Sequence, residues 1–62
     1  MIINYNYKNI PHSINIDDNT VSKFEKYFFP LNKYSILTLI SEDEEINNID
    51  KYLINTIEEC VY

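Results

Sequence analysis

The 62-residue chain has no glycine, alanine, arginine, glutamine or tryptophan, and it has one cysteine and one histidine. The absence of glycine excludes phosphate-cradling loops and dinucleotide-binding fingerprints, because those turns need positive φ angles and a close approach of the backbone to the ligand. A single cysteine cannot form a disulfide within the chain, and one histidine with one cysteine cannot supply the ligands of a zinc site. We therefore expect no nucleotide cofactor and no transition metal.

The remaining polar residues give little basis for catalysis. His12 would have to serve any Ser-His-Asp or Cys-His arrangement, and it follows Pro11 in a predicted loop, where an exposed histidine without a catalytic role is the simpler interpretation. The acidic stretches 17–18 and 42–45 lack the spacing and the turn glycine of a calcium loop. A domain of this size also offers little room for a catalytic cleft. The sequence predicts a protein that is not an enzyme.

No pattern in the sequence predicts a membrane segment or an export signal. The N-terminal residues lack the charged start and the apolar run of a signal peptide, and no 18 successive residues are apolar. We expect a cytoplasmic protein in a reducing compartment, with Cys60 as a free thiol. Isoleucine, asparagine, lysine and tyrosine make up half of the chain. Their codons are A/T-rich, which suggests an AT-rich source such as a low-GC bacterium or its phages and plasmids; for a phage protein the compartment would be the host cytoplasm.

The N-terminal residues predict two strands. Ile3, Tyr5 and Tyr7 alternate with polar residues, which is the two-residue period of a strand buried on one face, over residues 2–8. Pro11 interrupts this pattern, and the alternation resumes in a short second strand near 12–16. The simplest arrangement of the two strands is a hairpin.

A helix is predicted after the second strand. Residues 17–20 collect good N-cap side chains, and Pro30 ends the helix. Between them, four apolar residues share one helical face: Val21, Phe24, Tyr27 and Phe28. In the turn that follows, Asn32 is expected to take a left-handed conformation, since the chain has no glycine to do so.

The second half predicts one more strand and one more helix. Residues 33–40 are rich in β-branched and aromatic side chains and are apolar on both sides, which is typical of a strand covered on both faces. Ser41 and Glu44 form a capping box at the start of a last helix that runs to about Cys60. The fold prediction for residues 1–62 is one small α+β domain in the order β-β-α-β-α, a three-stranded sheet with two helices on one face.

The charge is unevenly distributed. Residues 1–40 have four lysines against three carboxylates, a net charge of +1, whereas residues 41–62 have one lysine against seven carboxylates, a net charge of −6. The acidity therefore belongs to the last predicted helix. Direct binding of nucleic acid is not expected, because phosphate contacts come mainly from lysine and arginine and the whole chain has a net charge of −5.

The last predicted helix has an unusually wide apolar face. On a wheel of about 100° per residue, its apolar residues cover roughly half of the circumference, more than the stripe of ~100° that a surface helix needs. Either the helix is central and well buried, or Ile54 and Val61 contact a partner or a second copy. We favour the second interpretation slightly, because Leu37 and Leu39 also need cover. Asp50 lies within the apolar face. We favour a structural role for it, as a carboxylate that reaches solvent from the edge of the core or pairs with a lysine, over a role as a charged anchor in an interface.

Our main functional hypothesis is an inhibitor that docks its acidic helix on a basic protein surface, such as the nucleic-acid groove of a nuclease, helicase or immune effector. A row of carboxylates on a helix can imitate a phosphate backbone and steer the encounter. Small phage anti-defence proteins, including anti-CRISPRs, and nuclease-immunity proteins are similar in size and charge. The residues expected to bind the partner are Glu42, Asp43, Glu44, Glu45, Asp50, Glu58 and Glu59.

The alternative hypothesis is a structural or regulatory interaction module in which the acids serve solubility alone. A homodimer, a small subunit of a larger complex, an antitoxin or an immunity protein would all fit it. Its contacts would be an open sheet edge and a set of four apolar side chains, which we call the apolar set: Leu37, Leu39, Ile54 and Val61.

Overall fold

The structure, a computed structural model, describes residues 1–40 and 45–62. In chain order its elements are strands β1 (Ile2–Tyr7) and β2 (Ile10–Asn15), helix α1 (Asp18–Tyr27), a 3₁₀ helix (Ser35–Leu39) and helix α2 (Ile49–Val61). The sheet of the described residues has two strands, so the predicted three-stranded sheet in the order β-β-α-β-α is wrong. A 3₁₀ helix takes the place of the third strand.

The two strands form the predicted antiparallel hairpin. The turn between them consists of Lys8 and Asn9, whose φ angles are 50° and 65°. Two positive φ angles are what a type I′ hairpin turn requires. Asparagine tolerates this region better than lysine does, and a chain without glycine has to place ordinary residues there. Pro11 lies inside β2, opposite Asn6, rather than in a loop.

Helix α1 starts where its capping residues predict. The side chain of Asp17 accepts a hydrogen bond from the backbone N–H of Thr20. Val21 and Phe24 are buried, as their spacing indicates, but Tyr27 and Phe28 are 70% and 53% exposed. The predicted apolar face therefore extends past the end of the core, because the helix ends at Tyr27 and the chain then turns away towards Pro30.

Hydrogen bonds between nearby side chains and backbone explain why residues 33–40 are not a strand. Oδ1 of Asn32 accepts from the backbone N–H groups of Tyr34 and Ser35, at 2.9 and 2.8 Å. Oγ of Ser35 donates to the carbonyl of Pro30 at 2.7 Å, and Oγ1 of Thr38 donates to the carbonyl of Ser35 at 2.6 Å. Such local bonds offer the backbone an alternative to a sheet ladder. Asn32 thus binds the backbone at the start of the 3₁₀ helix, whose N-cap is Tyr34, and it does not take the predicted left-handed conformation.

Helix α2 begins later than its sequence predicts. Residues 45–48 are not helical, and the helix starts at Ile49 with Asn48 as its N-cap. Oδ1 of Asn48 accepts from the backbone N–H of Lys51 at 3.3 Å, and Asn48 itself has a φ of 53°. Asparagine favours caps and turns over helix interiors, which is why the pair Asn47-Asn48 stops the helix from extending towards its N-terminus. The predicted capping box of Ser41 and Glu44 lies outside the described residues.

The core lies between the inner face of the hairpin and the three helical elements. Ile36 of the 3₁₀ helix and Leu53 and Ile57 of α2 are fully buried. The outer face of the hairpin is exposed along its length. The remaining buried apolar side chains are Ile3, Tyr5, Ile14, Ile16, Val21, Phe24, Leu31 and Ile49.

Candidate functional site

Within the described residues, the acidic side chains predicted to bind a partner do not form one continuous row. Glu45 is exposed and precedes α2, and Glu58 and Glu59 are exposed near the C-terminal end of that helix. Asp50, in contrast, is half-buried in the first turn. Glu42, Asp43 and Glu44 lie outside the described residues.

Helix geometry separates Asp50 from the two exposed glutamates. Glu58 and Glu59 follow it by eight and nine residues, which places them roughly 80° and 180° around the helix axis at about 100° per residue. Asp50 faces the hairpin and contacts Tyr5 and His12. It therefore belongs to the contact between α2 and the sheet, and its partners there are not lysines.

The acids of the first half of the chain are engaged within the protein. Asp17 caps α1, and Asp18 accepts from the N-terminal ammonium group at 2.8 Å. Glu25 accepts from the backbone N–H of Leu31 at 2.8 Å. In the described part of the chain, the carboxylates of Glu58 and Glu59 have no such partner.

Four of the five lysines lie over tyrosine rings. Nζ of Lys23 is 4.7 Å from the centre of the Tyr62 ring. Three others lie over the ring of the tyrosine next to them in sequence: Lys8 at 5.4 Å, Lys26 at 5.4 Å and Lys33 at 5.1 Å. Within residues 1–40 and 45–62, no lysine forms an ion pair with a carboxylate. In the described part of the chain, none of these lysines is therefore ion-paired with Glu58 or Glu59.

An open cleft of about 460 Å³ lies at the C-terminal end of α2. We call it the acidic cleft, and it is lined by Asn55, Glu58, Glu59 and Tyr62. Two carboxylates, an amide and an aromatic ring are groups that attract a lysine or arginine side chain. The contact between Lys23 and the Tyr62 ring is an interaction of this kind within the chain.

Most of the apolar set packs against the core. Leu39, Ile54 and Val61 are half-buried and pack against the buried cluster, while Leu37 is 37% exposed. The large apolar side chains with the greatest exposure lie elsewhere: Ile2, Ile10, Tyr27, Phe28, Tyr34 and Tyr62.

The structure brings together a second group of polar side chains, which the sequence did not predict: Tyr5, His12 and Asp50. Tyr5 and His12 are directly opposite each other in the hairpin, and their rings stack with centres 5.2 Å apart and planes 17° apart. Cross-strand pairs of this kind contribute to the stability of a sheet. His12 is therefore a half-buried strand residue, and the interpretation of it as an exposed loop histidine is wrong.

Asp50 joins this pair from α2. It accepts a hydrogen bond from the hydroxyl of Tyr5, and its two carboxylate oxygens lie 3.3 and 3.4 Å from Nδ1 of His12. Burial raises the pKa of Tyr5 above its ordinary value, and the hydrogen bond to Asp50 and the negative charge of that carboxylate raise this pKa further. Tyr5 is thus a neutral hydrogen-bond donor at physiological pH.

The geometry of the three residues favours a structural role. In a catalytic triad the histidine contacts a nucleophile on one side and a carboxylate on the other. Here Tyr5 donates to the carboxylate and stacks on the histidine ring, and its raised pKa makes it a poor nucleophile. What the arrangement does is hold the first turn of α2 against the middle of the hairpin.

A second open cleft, of about 410 Å³, is lined in part by His12 and Asp50. It lies between the tip of the hairpin and residues 45–50.

The hydroxyl of Tyr7 is buried and has no hydrogen-bond partner among the described residues. The described residues also hold no cluster of three or more histidine, cysteine or acidic side chains able to bind a metal ion.

The described helices are all too short or too polar to cross a membrane. No family model, no curated protein and no solved structure matches this chain.

Proposed function

We propose that this protein is a non-catalytic binding protein that docks the exposed carboxylates of its C-terminal half on a basic protein surface. The observation that carries the proposal is the contrast between the two groups of acids. Those of the first half are held by backbone or N-terminal donors, while Glu58 and Glu59 lie exposed without a cationic partner among the described residues.

The chemistry of the acidic cleft favours a partner that presents lysine or arginine side chains. An arginine can donate two parallel hydrogen bonds to one carboxylate, and two carboxylates line the acidic cleft. Basic grooves of nucleic-acid-processing enzymes have such side chains in rows. We infer that the protein inhibits such an enzyme by occupying its groove. The residues with A/T-rich codons suggest an anti-defence role in a phage or plasmid as the biological setting.

Electrostatics also favours a fast encounter. A surface of one sign of charge raises the rate at which an oppositely charged partner associates, and this effect weakens as salt screens the charges. With a net charge of −5, the chain would be steered towards a basic target and away from nucleic acid itself. The prediction that residues 42–45 contribute to this surface stays part of the proposal.

A test of this proposal compares three forms of the protein as bait in affinity capture from the lysate of a low-GC bacterium. The first is the wild type, and the second is Glu58→Gln with Glu59→Gln, which keeps the side-chain shape and removes two negative charges. The third is Ser13→Lys with Asn15→Lys, which changes the net charge by the same amount on the exposed outer face of the hairpin. We expect a basic protein to be captured by the wild type and by the hairpin variant and to be lost with the glutamine variant. Equal capture by all three forms would contradict the proposal.

The alternative function, an interaction module that binds through apolar contacts, has one observation in its favour. Tyr27 and Phe28 are exposed side by side at the end of α1. Exposed aromatic side chains are common in protein interfaces. Capture that depends on Tyr27 and Phe28, persists in high salt and is insensitive to Glu58 and Glu59 would support this alternative.

A further inference from the structure

The hydrogen-bond pattern of the hairpin makes its two outer edges unequal. Met1 and Ile16 exchange two backbone hydrogen bonds, at 2.6 and 2.9 Å. In an antiparallel pair, residues opposite each other alternate between exchanging both bonds and exchanging none. With the observed register, the pairs that exchange bonds inside the hairpin are Ile3 with Ile14, Tyr5 with His12, and Tyr7 with Ile10.

The outer edge of β2 is therefore formed by the backbone groups of Pro11, Ser13 and Asn15. Pro11 has no N–H to offer, and a proline on an edge strand prevents regular pairing with another strand. This also explains why Pro11 is tolerated inside β2, since its nitrogen points away from β1.

The outer edge of β1 has no such protection. The backbone N–H and C=O groups of Ile2, Asn4 and Asn6 point away from β2, and within the described residues none of them has a hydrogen-bond partner. β2 is the only element in the described part of the chain that lies alongside β1. An open cleft of about 300 Å³ separates the end of β1, at Asn6 and Tyr7, from Leu37 and Ile40.

We propose that this edge of β1 pairs antiparallel with β1 of a second copy of the chain, about a two-fold axis at Asn4. Asn4 would then lie opposite Asn4 of the other copy, and Ile2 opposite Asn6. The three pairs would form about six backbone hydrogen bonds between the copies. The product is a four-stranded sheet in the order β2, β1, β1, β2, in which each protected edge faces outwards.

Three features favour a second copy as the occupant. The edge is self-complementary, because a two-fold axis at Asn4 matches every outward donor with an acceptor. β1 has no charged side chain, so two chains of net charge −5 can meet here without opposing their carboxylates directly. On the inner face, Ile3 would neighbour Tyr5 of the other copy, which extends the buried cluster across the axis.

Pairing would also support a marginal element of the fold. A two-stranded hairpin is weak by itself, and three or more strands with an apolar face are much more stable. The interface is a single strand pair and small, so we expect a weak and concentration-dependent dimer rather than a permanent one.

The test measures the dimer in sedimentation velocity over a wide range of protein concentration, with a matched pair of proline variants. Asn4→Pro removes the outward N–H from β1, and Ser13→Pro makes the same change at the residue directly opposite, on the edge that Pro11 already protects. Neither substitution removes a hydrogen bond inside the hairpin. We expect Asn4→Pro to raise the dissociation constant at least about tenfold, because both bonds of the central pair are lost, and Ser13→Pro to leave it unchanged.

A charge exchange at the same position keeps the proposal falsifiable if the proline variant fails to fold. Asn4→Lys and Asn4→Asp place like charges opposite each other in their own dimers and opposite charges in the mixed dimer. We expect each variant to be monomeric alone and the mixture to form the dimer. Backbone amides of Ile2, Asn4 and Asn6 should gain protection from hydrogen exchange as the wild-type concentration rises, while those of Ser13 and Asn15 should not. A wild type that is monomeric at every concentration, or a dimer that Asn4→Pro and Asn4→Lys do not weaken, would overturn the proposal.

Discussion

The hydroxyl of Tyr5 donates a hydrogen bond to the carboxylate of Asp50, which joins the middle of β1 to the first turn of α2 across 45 residues of chain. This bond fixes the N-terminal end of the helix whose other end presents Glu58 and Glu59. It also engages Asp50, a carboxylate of the predicted partner-binding set, in a contact within the protein. The acidic cleft and the Tyr5–Asp50 contact thus lie at opposite ends of α2, and we assign them different roles.

Removal of the Tyr5 hydroxyl should destabilise the protein, and removal of the Tyr7 hydroxyl should not. Both side chains lie on the inner face of β1, but the hydroxyl of Tyr7 is buried without a partner among the described residues. We expect Tyr5→Phe to lower the free energy of unfolding by about 1 to 2 kcal/mol, since a hydrogen bond to a charged group is lost. Tyr7→Phe should leave it unchanged or raise it by up to about 1 kcal/mol, because an unsatisfied buried group is removed. Urea denaturation of the two variants and the wild type measures this, and an equal loss in both variants would contradict the assignment.

Alkaline pH should destabilise the wild type more steeply than Tyr5→Phe. The pKa of Tyr5 in the folded state is raised above the ordinary value of 10.0, so the unfolded state loses this proton first. The contribution of protonated Tyr5 to stability is therefore complete below about pH 10 and is lost as the pH rises through the folded-state pKa.

The measured quantity is the difference in free energy of unfolding between wild type and Tyr5→Phe, taken at several pH values. Above about pH 10 this difference should shrink by up to about 1.4 kcal/mol per pH unit. The other five tyrosines are present in both proteins and cancel in the comparison. A difference that stays constant from neutral to strongly alkaline pH would show that Tyr5 is not held in its protonated form.

Two substitutions of Asn48 should show separately how its left-handed backbone and its side-chain cap affect the stability of the protein. Asn48 has a positive φ of 53° and caps α2 through Oδ1. Asn48→Gly removes the cap but suits the left-handed backbone, whereas Asn48→Ala removes the cap and disfavours that backbone. We expect the alanine variant to be less stable than the glycine variant by about 1 kcal/mol in thermal or urea unfolding. Equal stability of the two variants would argue that Asn48 does not adopt this conformation in solution.

The parts of the fold that the sequence predicted depend on short-range patterns. The hairpin follows from the alternation at Ile3 and Tyr5, the start of α1 from the capping side chain of Asp17, and the buried side of α2 from the wide apolar face of the last predicted helix. In each case residues within a few positions of one another decide the local structure.

The errors arose where polar side chains compete with an apolar pattern. Residues 33–40 have the composition of a strand, but Asn32 and Ser35 bind the neighbouring backbone and start a 3₁₀ helix. At both places an asparagine precedes by three residues the backbone N–H that donates to its Oδ1: Ser35 donates to Asn32, and Lys51 donates to Asn48. The prediction of a strand and of a longer helix gave more weight to the apolar residues of these segments than to the two asparagines.

The contact among Tyr5, His12 and Asp50 could not be predicted from local patterns. It requires the register that places Tyr5 opposite His12 and the packing that brings Asp50 to both. The placement of Pro11 inside β2 is what makes His12 a strand residue. Only the position of Asp50 within an apolar helix face indicated that this carboxylate has a special partner.

The most direct test of the proposed function is the salt dependence of partner capture by the wild-type protein. The bait is immobilised, exposed to a lysate of a low-GC bacterium in low salt and eluted with rising salt, and the eluates are identified by mass spectrometry. We predict that one stoichiometric basic protein, a nucleic-acid enzyme or defence protein, is released as the salt rises, because screening weakens contacts to Glu58 and Glu59. Retention of the captured partner in high salt, or recovery of the protein itself alone, would contradict charge-led binding and direct attention to its apolar surfaces and to the β1 edge.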